Sequence, residues 1–301
     1  MECVPNFSEG EDRNKIESII QALMAGPEVY LLDTQMDADH NRTVVTFAGS
    51  RESVGEAALR AIGRAAELID LNHHHGVHPR MGATDVVPFV PIQRVNLIDC
   101  VEIARWVAEQ TWQRFRIPTY LYEEAAREPR RKNLEYLRRG QFEQLREEVR
   151  RNPDRRPDFG ERDLHPTAGA TAIGARNFLI AYNINLNTSD LGLAKSIARK
   201  IRASNGGLAA VKAIGVEVNA LGLVQVSINL TDFLTTSIGA VFDAVEAEAA
   251  RAGASVESSE IVGLVPRRAI EDAGMARLKL RNFGPGLILE NRLEQAQKNV
   301  L

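Results

Sequence analysis

Thr43-Val44-Val45-Thr46-Phe47-Ala48, then residues 52–69, then Asp85-Val86-Val87-Pro88-Phe89-Val90-Pro91 read in turn as strand, helix and strand. The first is rich in β-branched residues, which fit a pleated, half-buried surface. The second is Ala-rich and apolar at helical spacing. The third is an apolar run in which Pro88, lacking an N–H, predicts an edge or bulge position. Toward the N-terminus, residues 29–32 form a further strand. Residues 12–25 form a helix with Ile16, Ile19, Ile20 and Leu23 on one face, and residues 2–6 a short strand. The order is β-α-β-β-α-β, the ferredoxin-like unit.

The same order returns in the second half. Residues 177–186 read as a strand and 190–203 as a helix with Asp190 as its cap. Strands at 211–218 and 224–230 join across a turn at 219–222, followed by a helix at 237–251 and a strand at 255–262. The pattern is duplicated without a residue-by-residue repeat. The expected fold class is therefore α+β: two ferredoxin-like subdomains, 1–176 and 177–301, side by side with a crevice between them, where ligands usually sit. Between the halves lie helices around 98–114 and 134–150 and a short strand at 119–122. The Pro/Gly-rich stretch 152–174 reads as a structured loop.

Of 301 residues, 44% are apolar and 26% charged, the balance of a soluble globular protein. No run approaches the roughly 18–20 apolar residues of a membrane span, and the N-terminus has no basic-then-apolar secretory pattern. Cys3 and Cys100 alone supply neither a disulfide framework nor a paired-cysteine zinc signature. A cytoplasmic protein with no membrane partner is expected. A net charge of −3 gives no reason to expect nucleic acid. Residues 127–156 depart from that balance: eleven Lys/Arg face six acids, leaving about +5 locally. Two readings are open, a solvated helical face laced with ion pairs and an electropositive wall near an anionic ligand.

Four of the six histidines fall in His73-His74-His75-Gly76-Val77-His78-Pro79-Arg80-Met81-Gly82-Ala83. On a helix, His74 and His78 would have the i, i+4 spacing of a zinc pair, but Gly76 and Pro79 argue against a continuous helix. Acid/base catalysis is the alternative, since imidazole both takes and gives a proton near neutrality. His73 and His75 are expected to be exposed loop residues. In Asp39-His40-Asn41-Arg42, Asn41 is either a turn residue or ligand-facing, and Arg42 either a surface charge or a fork onto a carboxylate. In Pro5-Asn6-Phe7-Ser8-Glu9-Gly10, Ser8 reads as a cap for the following helix.

These stretches also occur together in one family. Residues 2–10, Asn41-Arg42-Thr43-Val44, residues 76–83, Tyr120-Leu121-Tyr122-Glu123, Pro157-Asp158-Phe159-Gly160, residues 169–176 and residues 178–186 match its pattern in order. The chain thus resembles the glutamate formimidoyltransferase (formiminotransferase) family over nearly its whole length. The resemblance implies formiminotransferase N-terminal and C-terminal subdomains with folate bound between them. It implies tetrahydrofolate as co-substrate, with or without a polyglutamate tail, N-formimino-L-glutamate as donor, no metal, and a homodimer. The catalytic histidine of the His-Pro-Arg-Met motif falls on His78. The folate-binding segment falls on Gly160, Glu161, Arg162, Asp163, Leu164, His165, Pro166, Thr167, Ala168 and Gly169. Ala168 replaces an aromatic residue of the vertebrate pattern, and Gln35 an aspartate.

The implied chemistry is attack of folate N5 on the formimino carbon with expulsion of glutamate, one imidazole serving both nitrogens. A carboxylate, Asp37 or Asp39, would favour the cationic carbon, and Arg42 and Arg80 would grip carboxylates. The full candidate substrate-binding set is Asn6, Ser8, Asp37, Asp39, Asn41, Arg42, Arg80, Gly82, Asn183 and Asn185. The chain has no evident room for a helical cyclodeaminase, so ammonia release is expected to need a separate protein. Competing readings are a formyltransferase acting on N-formyl-glutamate, a metal-dependent hydrolase using His74, His78 and Asp85, and a non-catalytic folate carrier.

Overall fold

A computed structural model describes residues 1–218 and 222–298. The chain divides into two compact units, Met1–Arg176 and Asn177–Leu301. Each is a mixed α+β unit with its own sheet and its own apolar core.

In the first unit the opening strand is broken. β1 (Glu2–Cys3) and β2 (Asn6–Phe7) flank Val4-Pro5, where the sequence predicts one continuous strand. Both pieces lie between β4 (Arg42–Gly49) and β5 (Thr84–Val90), antiparallel to each, and β3 (Val29–Asp37) pairs with the far side of β4. Pro88 is not at an edge, because β5 has neighbours on both sides. Its carbonyl accepts from Val4 N–H at 3.2 Å, and a strand residue's N–H and C=O point the same way. The missing N–H therefore faces the Val4-Pro5 interruption, where no ladder partner is lost.

Helices α1 (Arg13–Met24) and α2 (Arg51–Leu68) bury Ile16, Ile19, Leu23, Val54, Leu59 and Ile62 in this core. Asp12 caps α1 through the N–H groups of Asn14 and Lys15. Ser8 does not. Its hydroxyl donates to Gly82 O at 2.7 Å, and Glu9 takes the N–H groups of Glu11 and Asp12 instead.

The sheet continues in a way the sequence did not announce. β7 (Thr171–Ala175) lies parallel to both β5 and β6 (Thr119–Glu123), after helix α3 (Leu97–Phe115). The single helix expected at 134–150 is two, α4 (Leu134–Arg138) and α5 (Gln141–Arg151), broken where Gly140 and Gln141 both take positive φ. Arg155, 2% exposed, closes the end of α4. It donates to the carbonyls of Tyr136, Leu137 and Arg139 and pairs with Glu148.

The second unit runs β8 (Ile180–Leu186), α6 (Leu191–Ile201), β9 (Val211–Val218), β10 (Leu223–Leu230), α7 (Ile238–Arg251) and β11 (Val256–Val262). The strands stand in the order β11-β8-β10-β9, all antiparallel. Asp190 and Ser237 cap the two helices. β8 starts three residues later than expected, and most of the turn expected at 219–222 lies outside the described residues. Beyond β11 the chain carries a further helix, α8 (Leu289–Lys298). No described helix is long and apolar enough to cross a membrane.

Candidate active site

The histidine-rich window is a loop between α2 and β5, as Gly76 and Pro79 require. Three connections fix its path. His74 is buried, with Nε2 2.9 Å from Asn41 O and Nδ1 accepting from Arg80 Nε at 3.1 Å. A guanidinium can only donate, so the His74 proton is on Nε2 and both nitrogens are satisfied. Asn41, in the left-handed region at φ 46°, donates from its amide to His75 O and accepts from Gly10 N–H, both at 2.7 Å. Gly76 and Gly10 pack against this turn so closely that a β-carbon would lie 2.7 Å from His40 O and 2.1 Å from Asp37 O respectively. Three backbone segments thus converge on Asn41, and the next residue, Arg42, meets the far end of the loop: its Nη1 is 2.8 Å from His78 Nε2.

That contact sets the state of His78. The ring accepts on Nε2, so its proton is on Nδ1. Burial, then the charges of Arg42 and Arg138 and the rings of His40 and His74, push its pKa down to about 3, so it is neutral at physiological pH. Burial and Arg138 also lower the pKa of Arg42, against the pull of Asp37 and Asp85. Both carboxylates are otherwise engaged. Asp85 receives Arg138 Nε at 2.9 Å and Met81 N–H at 2.7 Å, and Asp37 receives the backbone N–H and ring of His40. Burial alone would raise the Asp37 pKa, but the hydrogen bonds and charge from His40 hold it below the usual range. The Nε of Arg42 is buried with no hydrogen-bond partner.

Other expected residues are placed differently. Arg80 is turned from His78 toward α5, forking onto Glu143 at 2.7 and 2.8 Å and reaching Gln141. With its remaining donor on His74, no part of the fork is left for a substrate carboxylate. Asn6 bonds Val4 O, Asp39 is exposed, and Gly82 lies so close to Ala170 O that a β-carbon would stand 2.1 Å away. Asn183 and Asn185 lie on β8 of the second unit, in a network with Ser258, Gln225 and Glu260. His73 and His75 are exposed, as expected. A hydrolytic metal triad finds no support, since His74 and Asp85 are held by Arg80, Asn41 and Arg138. Among the described residues no group of three His, Cys, Asp or Glu is arranged to hold a metal ion.

The segment 160–169 is half surface and half interior. Glu161, Arg162 and Asp163 are exposed, while Leu164, Ala168 and Gly169 are buried. It grips both ends of the histidine loop: Leu71 N–H donates to Thr167 O, Asn72 to Pro166 O, Ala83 N–H to Ala168 O, and Ala170 N–H to Met81 O. The basic stretch 127–156 resolves largely into internal staples and ion pairs. Examples are Arg131 with Asp158, Arg130 with Asp154, Lys132 with Glu124 and Arg155 with Glu148. Arg138 is the site residue that sequence reading missed. It appeared only as one charge in that run, because its role depends on a partner, Asp85, 53 residues away.

The first unit, residues 1–176, matches the family model "Formiminotransferase domain, N-terminal subdomain", and residues 181–283 match "Formiminotransferase domain". A "Glutamate formimidoyltransferase" of Streptococcus pyogenes serotype M1 is 44% identical over 97% of this chain and 98% of its own. One of Thermoplasma acidophilum is 45% identical over 98% of each. The "Formimidoyltransferase-cyclodeaminase" of Gallus gallus is 43% identical over 93% of this chain, which spans 52% of that larger protein. With an arginine-bound histidine in the expected motif and matches running from end to end, the chain belongs to the formiminotransferase family.

Proposed function

We propose that this protein is a glutamate formimidoyltransferase, moving the formimino group of N-formimino-L-glutamate to N5 of tetrahydrofolate in histidine degradation. The observation that carries this is the 44–45% identity, over nearly the full length of both chains, to bacterial and archaeal proteins of that name. The units 1–176 and 177–301 are its N- and C-terminal subdomains. The strand order β11-β8-β10-β9 in a β-α-β-β-α-β chain supports a ferredoxin-like reading of the second. In the first, β3, β4, β1/β2 and β5 follow the same antiparallel order before β7 and β6 extend it. The protein works in the cytoplasm as a homodimer, and the relay below calls on no metal.

His78 is the proton carrier. Its Nε2 takes the proton that N5 sheds as the N5–carbon bond forms, and returns it to the glutamate nitrogen as the old carbon–nitrogen bond breaks. Protons balance, and the ring ends as it began. A neutral imidazole has the lone pair this requires, and such relays are worth about 10²–10⁴ in rate. Arg42, with a buried Nε in want of an acceptor, suits a carboxylate of the amino acid. Arg80, with its donors on Glu143 and His74, orients the loop. Segment 160–169 holds the folate and places the loop against it.

The test is steady-state turnover with N-formimino- and N-formyl-L-glutamate in parallel, for the wild type and His78→Ala. Formimino transfer by the wild type and a loss of about 10²–10⁴ in kcat for the variant, with folate still bound, are expected. Preference for the formyl donor would replace the substrate assignment, and undiminished turnover by the variant would remove His78 from the chemistry.

A further inference from the structure

The nitrogen on which a relay through His78 depends is the one that Arg42 occupies. At 2.8 Å from Nη1, Nε2 has its lone pair directed into a guanidinium N–H, and it cannot accept a second proton while that contact lasts. The pair is poorly settled on the arginine side. Arg42 Nε is buried without an acceptor, and Arg138 repels it. The two carboxylates that attract it are held by His40 and by Arg138 with the Met81 N–H.

We propose that Arg42 is a carboxylate-operated latch on His78: a carboxylate arriving with the amino acid draws the guanidinium off Nε2 and so exposes the lone pair only when a substrate is in place. Arg42 is a positioning residue in this scheme, and the proton passes through His78 alone. That the carboxylate belongs to glutamate rests on the function proposed above, whereas the latch itself rests on the geometry of Arg42 and His78.

The electrostatics give the latch its direction. The groups acting on the His78 ring are Arg42 from β4, Arg138 from α4, His40 from the β3–β4 turn and His74 from its own loop. Arg138 is tied to Asp85, and His74 is fixed by Asn41 and Arg80. Of these, Arg42 is the one that touches the ring directly. Pairing it with an added carboxylate removes both the donor on Nε2 and much of the positive field, and each change makes the ring a stronger base. A neighbouring carboxylate commonly shifts such a group by about 1–3 pH units.

The experiment follows the His78 imidazole nitrogens by NMR across pH, with the resonance assigned by His78→Gln. Without ligand, the ring is expected to stay in the Nδ1–H form well below pH 5. Saturating L-glutamate should raise its titration midpoint by one unit or more. In Arg42→Gln the midpoint should rise without ligand, and L-glutamate should no longer move it. If that variant does not fold, Arg42→Lys, with a shorter single-point donor, should show part of the same rise. A His78 midpoint that ignores bound L-glutamate in the wild type, or that is unchanged by loss of the Arg42 guanidinium, overturns the latch. Absence of formimino transfer alongside an intact NMR response would sink the substrate assignment and leave the latch standing.

Discussion

Two ionisable side chains of the first unit tilt its stability in opposite directions with pH. Glu2, 2% exposed, has its carboxyl pushed up to about 7 by burial, against the charges of Arg176 and the terminal ammonium. The folded chain holds this proton more tightly than the unfolded one. The stabilisation is therefore full below about 4.5 and lost as pH rises through 7, a change on the order of 3 kcal/mol. Glu2→Gln should remove that slope, so urea midpoints of variant and wild type should diverge in the variant's favour between pH 4.5 and 8. A gap independent of pH would refute the burial argument. His78 has the reverse sign: with a depressed pKa, its contribution is present above about 6.5 and lost as pH falls toward 3. At this scale the sequence announced residue types better than their partners. His78 and Arg42 stand out in their motifs, but the opposite fates of Arg42 and Arg80 depend on Glu143, 63 residues from Arg80, which no local pattern reveals.

Most helices were legible from their apolar faces, and α6 also from its Asp190 cap; the cap of α1 reads as Ser8 in the sequence but is Asp12. α4 and α5 were not separated, because continuous charged, helix-favouring residues mask the break at Gly140 and only the backbone conformation reveals it. The short α4 carries Arg138 to the site, yet it is only five residues long and depends on Arg155 across three carbonyls. Arg155→Met should leave those three carbonyls without their donor and Glu148 without its cationic partner. A loss of about 3 kcal/mol in unfolding free energy is expected, read from the denaturation midpoint. Replacement without loss would mean that α4 stands by packing alone. β7 escaped detection for a related reason: Thr171-Ala172-Ile173-Gly174-Ala175 is short and small-sided, and its strand identity comes from the two neighbours that enclose it.

Over the whole chain, the doubled element order survived translation into structure, while the local excess of positive charge did not survive as a wall. Most of those arginines close ion pairs or cap carbonyls. What remains beside the histidine loop is a surface pocket of about 490 Å³ that includes Asn72, His75, Arg146 and Arg150, with Glu147 among its walls. If a polyglutamate tail of folate is drawn there, its advantage is electrostatic and should fade with salt. The ratio of KM for monoglutamyl to polyglutamyl tetrahydrofolate is expected to fall toward one between about 0.01 M and 1 M salt, as the screening length shrinks from about 30 to 3 Å. A ratio already at one in dilute buffer would dismiss the pocket from substrate selection.

The grip of residues 165–170 on both ends of the histidine loop means that a folate contact made by this segment, as proposed above, is mechanically inseparable from ring placement. The anchors are the carbonyls of Pro166, Thr167 and Ala168, so a substitution there that shifts the backbone displaces the loop that carries the imidazole, whatever it does to affinity. Such variants would register in turnover as well as in saturation, and a survey scoring folate contacts by KM alone would misfile them. The segment acts as a mounting plate to which the loop is screwed, and loosening any screw shifts the alignment of the whole.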